Sequence, residues 1–167
     1  MGLTSDAIVT AAHRLLADYG LHDVTMRRLA AELGVQPGAL YYHVPNKQEL
    51  LRRVAQQLLA PLGETGERAQ ALMLRLRRMV LPLRDGGDLL LVAYGLDQSI
   101  PPVPALQAAL IAEGRSREEA AELSAVLMRF ALGAIAAEQS ISLMGGDADA
   151  ESAVLYEKGL RSLLRRD

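Results

Sequence analysis

No stretch of this chain restricts its fold more than the junction Gly34-Val35-Gln36-Pro37. Before it, Thr25 is a ready helix cap, and Met26 to Leu33 repeats its apolar residues at helical spacing. After it, Pro37 presets the first helical φ of a short helix running to about His43, where Val44-Pro45 closes it. Two helices of about two turns joined so briefly must cross sharply, and Gly34 supplies the left-handed backbone that the turn requires. With Gln36 as N-cap, Val35 and Leu40 form a hydrophobic staple, which turns Leu40 toward the core with Leu29, Leu33 and Val44. Gln36, Gly38, Ala39, Tyr41, Tyr42 and His43 are left facing outward. Small residues at the tip, with aromatic hydrogen-bonders behind, suit a helix entering a groove about 12 Å wide.

The remaining punctuation is helical too. Thr4 or Ser5 caps a first helix in which Ile8, Ala12, Leu15, Leu16 and Tyr19 recur up to Gly20. Asn46 with Glu49 starts a fourth helix, to about Leu59. Beyond Pro61-Leu62-Gly63, Ala69, Leu72, Met73, Leu76 and Val80 form a stripe ending at Pro82. Asp85-Gly86-Gly87-Asp88 reads as a turn and cap before a helix through Tyr94. Pro101, Pro102 and Pro104 precede a short helix from Leu106 to Glu113. Ser116 and Glu119 form a capping box for the longest helix, which reaches Met144; after Gly145-Gly146-Asp147 a last helix fills Ala150 to Arg165. Strand-like alternation and 20–50-residue repeats are absent. The chain therefore reads as all-α, with about nine helices: a three-helix helix-turn-helix unit over residues 1–46, a connecting helix over 47–60, and a second helical unit over 61–167.

Charge totals give no hint of a partner. The formal net charge is −2, and residues 1–60 hold six Lys or Arg against five Asp or Glu. Placement is more informative. Arg27 and Arg28 stand in a helix's first turn, where each cation opposes the helix dipole by about 0.3–1 kcal/mol. Beside a phosphate the same position becomes favourable, and Lys47 repeats the arrangement at the next helix start. A solvated face explains any one of the three alone; three around one helix-turn-helix point to a nucleic-acid backbone.

Other chemistries find little support. No cysteine is present, no apolar run reaches the ~18 residues of a membrane span, and no signal pattern opens the chain. This fits a cytoplasmic protein. His13, His22 and His43 lack metal-ligand spacing, and His13 and His22 read as surface residues. Asp147, Asp149 and Glu151 alternate like the start of a calcium loop but lack its later Gly and Glu, so capping explains them better. No P-loop, dinucleotide fingerprint or nucleophile elbow occurs. Neither a metal, a cofactor nor an enzymatic activity is expected.

Leu33-Gly34-Val35, then Leu40-Tyr41-Tyr42-His43-Val44, then Asn46-Lys47 followed by Leu50-Leu51, resembles the DNA-binding domain of the tetracycline-repressor (TetR) family, over residues 5–60. The resemblance implies a bacterial transcription repressor acting as a homodimer on double-stranded DNA. It implies that the third helix reads the major groove, with Gln36, Pro37, Gly38, Ala39, Tyr41 and His43 as candidates for base contact. Thr25, Arg28, Tyr42 and Lys47 become candidates for holding phosphates, with Arg27 beside them. In the second half, Arg84-Asp85-Gly86-Gly87, and Phe130 to Ile135 with Glu138-Gln139, are similar to the family's effector-binding and dimerising core. Leu90 stands where the drug-binding members place a metal-linked histidine, and Leu72 and Leu76 where they place drug contacts, which argues against magnesium-tetracycline.

Two expectations follow for residues 61–167. A small, largely apolar effector is expected against Leu72, Leu76, Leu90, Tyr94 and Phe130, with Tyr94, Arg129 or Gln139 supplying hydrogen bonds. A twofold dimer is expected through the last two long helices, along Leu123, Leu127, Phe130, Ala134, Ala137 and Ile141, with Tyr156 and Leu160. An effector-independent helix-turn-helix regulator or architectural protein is the alternative, and a cavity of several hundred Å³ among these helices separates the two.

Overall fold

The computed structural model describes residues 2–63, 66–145 and 149–165; Gly146 and Asp147, part of the expected loop, lie outside the described residues. Among the described residues there are nine α-helices and no strand. They are α1 (Ser5–Tyr19), α2 (Met26–Glu32), α3 (Pro37–His43), α4 (Lys47–Leu59), α5 (Ala69–Val80), α6 (Gly86–Leu96), α7 (Val103–Ala112), α8 (Arg117–Leu143) and α9 (Asp149–Leu164).

Helix starts follow local chemistry. Thr4 Oγ1 accepts from the Ala7 amide, Thr25 Oγ1 from Arg28 and Asn46 Oδ1 from Glu49. Ser116 and Glu119 complete the expected capping box. Two starts depart from expectation. α7 begins at Val103 rather than Leu106, because Pro104 falls in its first turn, where a helix needs no N–H donor. Asp85, expected to cap α6, makes no cap bond to that helix; it adopts a left-handed φ of 53° and turns its carboxylate elsewhere.

One continuous apolar core runs from Ile8 to Leu160. α1 packs on α2 and α4, α2 on α3, and α4 on α6; α8 touches α5, α6, α7 and α9. Against expectation, α8 is long and apolar enough to cross a membrane by length and composition. Yet Ala120, Leu127, Met128, Ala131, Leu132 and Ile135 of this helix are buried among its neighbours, as befits a core helix.

Two close approaches set the packing. A Cβ on Gly87 would lie 2.9 Å from Ala136 Cα, so α6 meets α8 almost backbone to backbone. Gly159 lets α9 cross directly over Phe130, whose ring stacks on Tyr156 at 5.3 Å. Gly159→Val should therefore destabilise the chain by about 1–3 kcal/mol through overpacking. Urea denaturation checks this, and a neutral result would mean that α9 stands farther from α8.

Candidate nucleic-acid interface and effector groove

The turn between α2 and α3 is built as the sequence implies. Gly34 has a φ of 65°, and its amide donates to Ala31 O at 3.2 Å while Val35 donates to Ala30 O at 3.0 Å. Leu40 is fully buried and Val35 is half-buried against the same core, as a staple requires. The remaining α3 residues are set outward. Gln36, Pro37, Gly38 and Ala39 are exposed, Tyr41 is 51% exposed and Tyr42 89%, and His43 is half-buried with its ring edge-on to Tyr42. Gln36 makes no cap bond, which leaves its amide free to reach beyond the protein. The result is one short, exposed helix face carrying donors, acceptors and aromatic edges.

The cations around it are not equivalent. Arg27 is exposed and makes no ion pair among the described residues. Arg28 is half-buried; its guanidinium pairs with Asp23 and lies 3.8 Å from the centre of the Tyr19 ring. Lys47 Nζ donates to Leu21 O at 3.3 Å, tying the start of α4 to the α1–α2 loop. Thr25 is exposed, with its hydroxyl already capping α2.

Glu49 steadies α3 from behind. Its carboxylate accepts from Arg52 at 2.8 and 2.9 Å and from Arg53 at 2.6 Å, and Arg53 also donates to Ser5 Oγ and to His43 O at the end of α3. The Arg52 hydrogen bond, then that of Arg53, hold the Glu49 carboxyl at about 2 against partial desolvation. A depressed carboxylate contributes stability above its unfolded value, and loses it as pH falls from about 4.5 toward 2. An acid titration of helicity should show Glu49→Gln flattened across that window; an unchanged curve would contradict the assignment.

In the second unit, the six residues expected around an effector do not surround one cavity. Leu72, Leu76 and Leu90 are fully buried in the core, and Arg129 is exposed and donates to Ala125 O of its own helix. Tyr94 and Phe130 border clefts, but different ones. Gln139, the other expected donor, clamps the α5–α6 turn by accepting from Gly87 N and donating to Leu81 O and Leu83 O. Tyr94 borders a cleft of about 460 Å³ between α6, α7 and α8, lined also by Asp97, Val103, Gln107, Ala121 and Ser124.

Among the described residues, two polar ties join the ends of α6 to the N-terminal helices. Asp85 Oδ2 accepts from Leu21 N at 2.7 Å, and Gly20 leaves the room that this approach needs. Arg52 of α4 reaches Asp97 Oδ2 at 3.5 Å.

The expected dimer stripe splits. Leu127, Tyr156 and Leu160 are buried within the subunit, because α8 turns Leu127 inward and α9 lays Tyr156 and Leu160 on the core. Leu123, Phe130 and Ala134 are half-buried, while Ala137 and Ile141 are exposed. Phe130, Ala134, Ala137 and Ile141 line an open cleft with Leu155 of α9, which is 66% exposed. Behind it Arg77 pairs with the buried Glu138, and the Tyr156 hydroxyl donates to Met73 O.

Sequence reading missed Asp23 and Tyr19 around Arg28, and Asp85 and Asp97 as acceptors for Leu21 and Arg52. The spacing of Glu49, Arg52 and Arg53 was visible as i,i+3 and i,i+4 pairs. Leu21 and Asp85 lie 64 residues apart, and no local signal links them.

Relatives agree with this geometry. The model of the family "Bacterial regulatory proteins, tetR family" matches residues 8–54. The tetracycline repressor protein class E of Escherichia coli is 30% identical over 147 residues, covering 83% of this chain and 70% of that protein. BioQ of Mycobacterium smegmatis superposes with a TM-score of 0.84 at 32% identity, covering 98% of this chain and 96% of that one. A structure of BioQ with its double-stranded DNA operator gives 0.80 at 31% identity, covering 99% and 100%. ActR of Streptomyces coelicolor, solved with (S)-DNPA, gives 0.81 at 27%, covering 98% and 96%. With an exposed α3 carried on a glycine turn, and relatives of this kind over nearly its whole length, the chain belongs to the TetR family of DNA-binding transcriptional regulators.

Proposed function

We propose that this chain is a homodimeric repressor that binds a palindromic operator through α3 and is released by a small molecule. The observation that carries the DNA reading is the division of α3, with Leu40 fully buried and its neighbours turned to solvent up to 89% at Tyr42. In this reading residues 1–46 bind DNA, α4 connects, and residues 61–167 dimerise and take the effector. Gln36, Pro37, Gly38, Ala39, Tyr41 and His43 approach base edges. Thr25, Tyr42, Arg27 and Lys47 hold phosphates, and Arg28 joins them where a phosphate displaces Asp23.

Mobility-shift titrations test the division. Arg27→Ala and Lys47→Ala should each weaken binding to all duplexes and reduce the salt slope by about 1, whereas Gln36→Ala should change which sequences are preferred. A uniform loss from Gln36→Ala, with preference intact, would contradict it.

The effector site in this reading is the α6–α7–α8 cleft. Val103, Pro104, Ala121 and Ala125 offer an apolar wall to a largely apolar molecule. BioQ has been solved on its operator and ActR with a small molecule, which supports both halves of the reading. Ligand in the cleft would act on DNA through α6, which packs on α4 and carries Asp97 and Asp85 at its ends. A second reading, an effector-independent regulator, is favoured by the solid packing of Leu72, Leu76 and Leu90. Shifts in melting temperature with small molecules, followed by loss of DNA affinity, separate the two.

A further inference from the structure

We propose that the α6–α7–α8 cleft selects an apolar molecule carrying one cationic, hydrogen-donating head, and that this head releases DNA by taking Asp97 away from Arg52. The proposal rests on the effector reading of that cleft.

The donors of Ser99, Gln107 and Ser124 in the lining are already engaged within the protein, and Gln98 is exposed. Asp97 is its one ionisable carboxylate, and no Lys or Arg lines the cleft. The Ser99 hydroxyl and then its amide donate to Asp97 Oδ1, at 2.6 and 2.9 Å, and hold the Asp97 carboxyl below the usual range, so the group is anionic. Tyr94 is 7% exposed, and its hydroxyl has no hydrogen-bond partner among the described residues. Gln107 donates from Nε2 to Ser124 Oγ at 3.2 Å, and the Ser124 hydroxyl donates to Ala121 O at 2.8 Å. That leaves Gln107 Oε1 without a donor among the described residues. A carboxylate, a free amide oxygen and a buried phenol hydroxyl beside apolar walls match an ammonium on a hydrophobic body, and repel a carboxylate.

The same carboxylate is half of an interdomain tie. Arg52 holds Glu49 with two short bonds but reaches Asp97 only at 3.5 Å. A ligand cation competing for Asp97 therefore breaks the weak arm and leaves the strong one. α4 keeps its Glu49 brace while losing its polar link to α6.

Three probes of one shape distinguish the heads: 2-phenylethylamine, 2-phenylethanol and phenylacetate. They are titrated against the full chain by calorimetry, with DNA release followed by anisotropy. The amine should bind at least about tenfold more tightly than the other two and alone release DNA. Asp97→Asn should bring the three to parity. Ala121→Leu, an exposed position that fills the cleft without removing a polar group, should weaken all three. If the neutral or anionic probe binds as well as the amine and Ala121→Leu still blocks it, the cleft takes ligand but the cation assignment fails. If binding ignores Ala121→Leu, or no probe registers at about 10 mM, where even millimolar affinity shows, the cleft reading fails with it.

Discussion

Changing both Ala134 and Ala137 to arginine should leave the chain folded but monomeric in sedimentation, with operator affinity lowered by at least about a hundredfold. Both positions line an open cleft together with Phe130, Ile141 and Leu155. Ala137 is exposed and Ala134 half-buried, so arginine there has room in the isolated subunit. Pressed against a second copy, the same guanidinium groups lose water without gaining a partner, a penalty of several kcal/mol per ion. Under the proposed dimer, operator affinity should fall because each monomer would hold one half-site without the effective concentration that its twin supplies. A dimer that survived the double change would place the interface elsewhere.

Glu138→Ala should lower unfolding free energy by about 3–5 kcal/mol, the cost of leaving a buried charge without its partner. Arg77 has a side chain only 12% exposed, and its guanidinium lies 5.7 Å from the centre of the Tyr156 ring. Nothing near it among the described residues replaces the carboxylate. Replacing both partners by apolar residues, Arg77→Met with Glu138→Leu, should recover most of the loss, since a well-packed apolar pair of similar volume is close to neutral. Urea denaturation of the two variants gives the comparison. A loss below about 1 kcal/mol for Glu138→Ala would show the pair to be solvated.

The N-terminal half was legible because its signals are local. Thr4, Thr25 and Asn46 announce their own helices within three residues, and Gly34 and Pro37 leave one geometry for the turn between α2 and α3. Which face of α3 turns outward followed from Gln36 as N-cap with Val35 and Leu40 as a staple, and Leu40 is indeed fully buried. The second half resisted because its decisive contacts are distant in sequence. A leucine at helical spacing looks the same whether it fills the core or lines a cavity, so Leu72, Leu76 and Leu90 gave no means of choosing. The stripe on α8 had the same ambiguity: α8 is apolar on more than one face, and only packing decides that Leu127 points inward and Ile141 outward. Asp85 carried a strong local reading as a helix cap. Tertiary structure overrode it, because the Leu21 amide, just beyond the end of α1, donates to its carboxylate instead. Arg28 is a similar case, since no spacing rule joins it to the ring of Tyr19.

Selection of bound duplexes from a random pool tests the central claim most directly, that α3 reads DNA as one half of a twofold pair. The enriched sequences should contain inverted half-sites centred about 10–10.5 base pairs apart, or a multiple of that, and Gln36→Ala should alter both half-sites equally. Enrichment of a single unsymmetrical element, or none above the pool, would contradict it.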